Sequence, residues 1–236
     1  MCRAQNYSGQ ILWNTAADGF EFTGGGNGVF CYETVDSQYV VVDINSGNYL
    51  YTLPVSEASV YISPNQPTLL FTNSYVRTPF SGSYTQLSCY GLQTGNQVWS
   101  GYPLPEGYII NTFVIGVHAV TAVTQQWSVP GFNSSVITFE PSTGNLISSI
   151  LMLNCSVTSI AVSKRSDYTA YTLSYNATGI FLAALDTRLG RVRWSKTLTT
   201  NSSYFDMSDL VLLEDESIVA WFIEAFTNTI TGAGIS

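Results

Sequence analysis

The stretch YGLQTGNQVW, residues 90–99, decides the fold. An apolar run ends in a Thr94-Gly95 pair, and an isolated Trp99 follows four residues after the glycine. Glycine supplies the positive φ that closes a tight turn, and a Ser or Thr hydroxyl bonds the turn backbone. The stretch therefore reads as strand, turn, strand, with an aromatic at a set distance beyond the turn.

The same pattern returns four more times. Ser8-Gly9 precedes Trp13 in SGQILW, and Ser46-Gly47 precedes Tyr51 in SGNYLY. Thr143-Gly144 stands in STGNLIS, with Ser148 in the aromatic position, and Leu189-Gly190 precedes Trp194 in LGRVRW. Gly9, Gly47, Gly95, Gly144 and Gly190 are thus spaced by 38, 48, 49 and 46 residues. A period of this length marks a solenoid, an array or a propeller.

The filling of the repeat selects among them. Apolar runs such as YVVVDI (39–44), SVITFE (135–140) and IFLAALD (180–186) precede the turns, and others such as EASVYIS and TLLFTNSYV occupy the gaps. That makes about four strands per period, and no run carries the i, i+3, i+4, i+7 spacing of a helix. Four antiparallel strands per ~45 residues is a β-propeller blade. One such sheet cannot cover both its faces, but neighbouring blades can, and the recurrent aromatic fits the gap between them. The expectation is an all-β, single propeller domain over 1–236. It has a half-blade at 1–14, blades near 15–54, 55–103, 104–152 and 153–200, and a half-blade at 201–236. Two arrangements are open. Strands near 207–213 and 217–226 pair with those near 2–5 and 10–14 to close a five-bladed ring, or the chain is an arc of a seven- or eight-bladed propeller. The strand-poor reading of NTITGAGIS and the lack of a leader-type N-terminus favour the arc.

The run ALDTRLGRVRW (184–194), with VVVDINSGNYLY and YGLQTGNQVW, resembles the repeat of the pyrroloquinoline-quinone-type propellers. The resemblance spans nearly the whole chain through five motif copies. It implies that each motif tryptophan docks onto the next blade. It says little about activity, because quinoprotein dehydrogenases share the repeat with noncatalytic scaffolds. Ser148 and Leu189 depart from the pattern. The enzymes of that family use a quinone, a calcium ion, a catalytic aspartate and, in many members, a vicinal disulfide. The chain has no adjacent cysteine pair and no matching quinone or metal segment.

Composition narrows function further. Charged residues are only 10% of the 236, and the formal net charge is −8. This balance argues against nucleic acid phosphates or an anionic membrane as partner. Six of the eight basic residues lie between Lys164 and Lys196, read as a solvated rim. No run of about 18 apolar residues spans a membrane. Cys2, Cys31, Cys89 and Cys155 are widely spaced, which disfavours zinc and leaves disulfide pairing open. Sequons at Asn6, Asn133, Asn154, Asn176 and Asn201, with sparse lysine, favour a secreted or lumenal location, although the first residues carry no signal-type segment.

No residue is nominated as catalytic, cofactor-binding or metal-binding. The single His118, in FVIGVHAV, reads as a strand histidine. The glycines of FTGGGNGVF (22–30) lack the helix a phosphate cradle requires and read as a flexible hairpin between strands. Glu214-Asp215-Glu216 lacks the alternate-oxygen spacing of a calcium loop and reads as a solvated turn. The expected function is a noncatalytic propeller presenting loops to a protein or glycan partner, without cofactor. The alternatives are a degenerate quinoprotein-type dehydrogenase, or a glycan binder or hydrolase in which exposed aromatics such as Trp127 stack on sugars.

Overall fold

A computed structural model describes the backbone of residues 2–5, 11–15, 21–78, 82–101, 108–126, 133–166, 168–199, 205–224 and 229–235. Side chains are described within 25–76, 84–101, 109–125, 133–166, 168–199 and 209–221. The chain divides into two compact units. The first is Met1–Leu104 with Ser142–Gly144, and the second is Pro105–Pro141 with Asn145–Ser236. All regular structure among the described residues is β.

In the first unit, β1 (Cys2–Gln5) and β2 (Ile11–Thr15) form a two-stranded sheet. Then β3 (Glu21–Gly26), β4 (Val29–Glu33), β5 (Tyr39–Asp43) and β6 (Tyr49–Leu53) form a four-stranded antiparallel sheet in chain order. A second follows from β7 (Ala58–Ile62), β8 (Leu69–Thr78), β9 (Gly82–Gly91) and β10 (Gln97–Ser100). Strands β3 and β7 lie side by side, so these two sheets meet along their first strands. The alternating run Val29, Cys31 and the opposed Val41 and Leu53 pack against Val60, Leu70, Tyr90 and Leu92 of the next sheet. Each fully buried aliphatic side chain in such an interface contributes roughly 1.5–3 kcal/mol.

The second unit repeats the plan. Its sheets are β11 (Tyr108–Ile115), β12 (Val120–Gln126), β13 (Ser134–Phe139) and β14 (Leu146–Met152), then β15 (Ser156–Val162), β16 (Thr169–Asn176), β17 (Gly179–Asp186) and β18 (Arg191–Thr199). A three-stranded sheet follows from β19 (Phe205–Leu212), β20 (Ile218–Glu224) and β21 (Thr229–Ile235). Strand β15 has β11 on one side and β19 on the other. Val123, Val136 and Ile150 pack against Val157, Ile160 and Leu185, and Leu173 and Leu182 pack against Leu210 and Ile218.

Within each unit the sheets radiate from their first strands, and exposure rises outward. Strand β13 is buried at five of six positions, whereas the fourth strand β18 is exposed from Arg191 to Thr197. The tail reading is corrected: NTITGAGIS contains β21, laddered to β20 from Ile218↔Ile235 to Glu224↔Thr229. Its glycines weaken the strand signal, and the ladder to β20 supplies the order. The glycine-rich run is also shorter as a turn than read. Gly24–Gly26 belong to β3, and only Asn27 (φ +50) and Gly28 (φ +81) turn. Two residues at positive φ make the hairpin turn that matches strand twist. The Asn27 amide donates to the Ser63 carbonyl at 2.8 Å, so this turn is pinned to the neighbouring hairpin.

Candidate functional site

The repeated Gly and aromatic positions are joined by a single contact geometry. In the first turn of that kind with described side chains, Asp43 Oδ1 accepts from the backbone of Asn45 (3.0 Å) and Ser46 (2.8 Å), and Asn48 N donates to Ser46 Oγ. The next turn repeats the last bond with Asn96 N and Thr94 Oγ1. Gly47, Gly95, Gly144 and Gly190 all have φ between +66 and +71. The glycines answer a second demand as well. A Cβ on Gly95 would lie 2.5 Å from the Tyr51 ring, and one on Gly144 would lie 2.6 Å from the Trp99 ring. Each aromatic thus lies flat against the glycine of the following turn, where any side chain would collide. Tyr51 adds a 2.6 Å hydrogen bond from its hydroxyl to the Leu92 carbonyl, and Trp99 is buried beside Phe71.

The last two copies differ. Ser148 has no ring; its hydroxyl donates to the Thr187 carbonyl, and a Cβ on Gly190 would find Ser148 only at 3.4 Å. Trp194 occupies the equivalent register, opposite Ala184 as Trp99 is opposite Cys89, yet it is 41% exposed and leans on Tyr171 of its own sheet. Among the described residues no turn glycine lies against its indole. Gly9 lies outside the described residues, and so does the side chain of Trp13.

A cleft of about 560 Å³ opens in the first unit beside this scaffold. Its floor is one face of β8–β10: Ser74 and Val76, then Gln86, Ser88 and Tyr90, then Gln97 and Ser100. Its wall is the connection Pro54–Glu57, tied down where Tyr75 N donates to the Glu57 carbonyl at 3.1 Å. Glu57 itself has φ +48, a left-handed conformation uncommon outside glycine, Asn and Asp. The same β8–β9 face continues inward as Leu70 and Tyr90, packed in the core. The switch from apolar to hydroxyl and amide side chains along one face therefore marks where packing ends and the cleft begins. Ser74 Oγ donates to the Gln86 carbonyl (3.3 Å). Burial raises the Tyr90 phenol's pKa, so it remains a hydrogen-bond donor at neutral pH.

Among the described residues, Glu57 is the only charged one lining the cleft. The described lining offers a phosphate or carboxylate ligand no guanidinium or ammonium as counter-charge. Hydroxyls and primary amides both donate and accept, which suits a neutral polar ligand. Sequence reasoning did not nominate these residues. The available signal was the alternation Thr72-x-Ser74-x-Val76 against Gln86-x-Ser88-x-Tyr90, polar where a core-facing strand should be apolar.

The other candidate residues take structural places. His118 is exposed in the tight turn between β11 and β12, closed by Gly116 N donating to the Ala119 carbonyl, and is not in a strand as expected. Asp215 caps its own turn through Ser217 N at 2.9 Å. Glu216 reaches the hairpin turn of the adjacent sheet, where Oε1 accepts from Lys164 N (2.9 Å) and Arg165 N (3.3 Å). The acidic group is thus an inter-sheet clasp as well as a turn. Among the described residues no cluster of His, Cys, Asp and Glu could hold a metal ion. Cys89 and Cys155 are buried thiols, with Cys89 pushed up to about 12 by burial. Asn133 Oδ1 accepts from Asn154 N, Asn154 is exposed, and Asn176 Oδ1 accepts from Thr178 N at 2.7 Å. Asn6, Asn201 and Trp127 lie outside the described residues. No helix among them is long and apolar enough to cross a membrane.

No family model matches the sequence, and no curated protein does. Solved structures do match in fold. One is the crystal structure of the Cps50 (Swd1) β-propeller domain of Myceliophteria thermophila, at TM-score 0.58 and 12% identity, covering 95% of this chain and 72% of that one. Another is the computationally designed Ika4 protein, at TM-score 0.52 and 11% identity, covering 80% of this chain and 99% of that one. Identity this low carries the fold alone. Radiating four-stranded antiparallel sheets and this likeness make the chain a β-propeller.

Proposed function

We propose that this propeller is a noncatalytic binding module that receives a neutral polar part of a protein or glycan partner in the cleft of its first unit. The carrying observation is the lining: hydroxyls, amides and a phenol around one carboxylate, in about 560 Å³. That volume falls within the roughly 300–1,000 Å³ of small-molecule sites. Acid–base catalysis wants two groups of tuned pKa converging on one reacting atom. Burial raises the Tyr90 phenol further from neutrality, so it does not supply such an acid.

The same proposal groups the chain with the quinoprotein-type propellers, on the scaffold side of that group. Support comes from the shared turn and aromatic pattern and from the ring-on-glycine contacts of Tyr51 and Trp99. A secreted or lumenal setting is part of the same proposal, supported by the sequons at Asn154, exposed, and Asn176, at a hairpin tip.

The test is a glycan array and a displayed-peptide library screened with the wild-type protein and with Gln86→Ala/Gln97→Ala. Each lost neutral hydrogen bond is worth about 0.5–1.5 kcal/mol, so the pair should weaken binding by roughly 5- to 150-fold. Binding that ignores both substitutions sinks the cleft assignment. Stoichiometric quinone uptake with dye-linked turnover would replace the whole reading by the dehydrogenase one. Expression through a secretory pathway, with glycosidase treatment of Asn154→Gln and Asn176→Gln, tests the compartment: no glycan on the wild type counts against it.

A further inference from the structure

Strand β18 differs from the other fourth strands. β6 (YLYTL), β10 (QVWS) and β14 (LISSILM) carry no charged residue. β18 (RVRWSKTLT) carries three cations in nine residues, in a chain of net charge −8. It stands at the end of its sheet's strand order, and its side chains are exposed from Arg191 to Thr197. Trp194 stands among those cations, 41% exposed, packed on Tyr171 at 6.3 Å between centroids. Burial and the Glu216 carboxylate raise the Tyr171 phenol's pKa, and Arg193 and Arg165 oppose them, so both guanidinium groups stand near that ring. Trp, Tyr and Arg are the side chains that dominate binding hot spots.

From this we infer that β18 is a docking edge for an acidic, extended protein segment that adds a strand to the sheet. An edge strand offers alternate backbone donors and acceptors, and an added strand takes its affinity from them. Lys and Arg on an edge ordinarily repel promiscuous strands. The same charges admit a strand bearing carboxylates and reject cationic ones, so they select the partner's sign. Arg193 pairs with Asp186 at 3.1 Å and Arg191 acts on the same carboxylate without pairing, so Arg191 and Lys196 are the β18 cations that a partner's carboxylates would meet. The surface shares no residue with the first unit's cleft, and either assignment stands without the other.

The test uses the whole chain and a fluorescein-labelled ten-residue peptide alternating Glu and Val. A Lys–Val peptide and a thymidine decanucleotide serve as comparisons. Expected are saturable anisotropy with the acidic peptide alone, and slowed amide exchange across Arg191–Thr199. The indole fluorescence change should vanish in Trp194→Phe. Arg191→Glu/Lys196→Glu should weaken binding at least about tenfold without moving the melting temperature. Should that double variant fold poorly, Lys196→Glu alone should weaken binding severalfold. The inference falls if no saturable binding appears up to about 1 mM peptide, if the Lys–Val peptide binds as well, or if exchange in β18 is unchanged. Binding of the decanucleotide in place of the peptide would assign the surface to an anionic polymer and overturn the strand-addition reading.

Discussion

Trp99 and Gly144 should be thermodynamically coupled, because one ring occupies the space a side chain at the other would need. Gly144→Ala carries two costs. The backbone stands at φ +71, where a non-glycine residue costs about 1–2 kcal/mol. The added Cβ would also lie 2.6 Å from the indole, and overpacking of that kind adds about 1–3 kcal/mol. The sum is about 2–5 kcal/mol. Trp99→Ala, at a ring 8% exposed, should cost about 3–5 kcal/mol. In the double variant the collision is gone and only the backbone cost of alanine remains. The pair should therefore cost less than the sum of the singles by about 1–3 kcal/mol. Urea titrations of the four proteins measure this directly. Additive costs would show that the indole does not occupy the space over Gly144, and the account of the repeat's glycine would fall with it.

Gly190→Ala is the internal control: its φ is +66 but the nearest side-chain atom is Ser148 Cβ at 3.4 Å, so only the backbone cost of about 1–2 kcal/mol should appear in the same titration. Trp194→Ala should be milder than Trp99→Ala, because 41% of the residue already meets water; equal losses would show that Trp194 is buried in solution. Asp43, Asp186 and Asp215 have lowered pKa values because turn amides, led by Ser46, Leu189 and Ser217, hydrogen-bond their carboxylates. Their stabilisation is complete above the ordinary aspartate value near ~3.9 and is lost as pH falls through the lower folded values. The melting temperature should therefore drop more steeply below about pH 4 in the wild type than in Asp43→Asn. Cys89, with a thiol pushed up to about 12 and buried, should resist a disulfide reagent at pH 8 until denaturant is added; rapid native labelling, read by mass spectrometry, would contradict its burial.

The blade plan was legible because it is written locally. Alternation of apolar residues, a glycine where the chain must take positive φ, and an aromatic at a constant offset recur whatever surrounds them. The turn at Thr94-Gly95 and the strand YVVVD need no distant partner to be recognised. The failures were at positions where the partner is distant or the signal is compositional. β21 is interrupted by two glycines and is a strand because β20 offers its edge. His118 sits in an apolar run but stands exposed, because Gly116 and Ala119 close a turn around it.

The cleft shows the same division. Nothing adjacent in sequence links Glu57, Ser74, Gln86 and Gln97, since strand pairing and the Pro54–Glu57 connection bring them together. Local conformational preference and side-chain alternation are properties of a few neighbouring residues, so periodicity alone sufficed for the strands, their turns and the propeller. Which aromatic is covered, which polar face is left open and which edge keeps its charge in water depend on what another segment, some 40–50 residues away, places opposite. Trp99, covered by Gly144, and Trp194, 41% exposed, show it: similar local motifs do not fix how far an indole is covered.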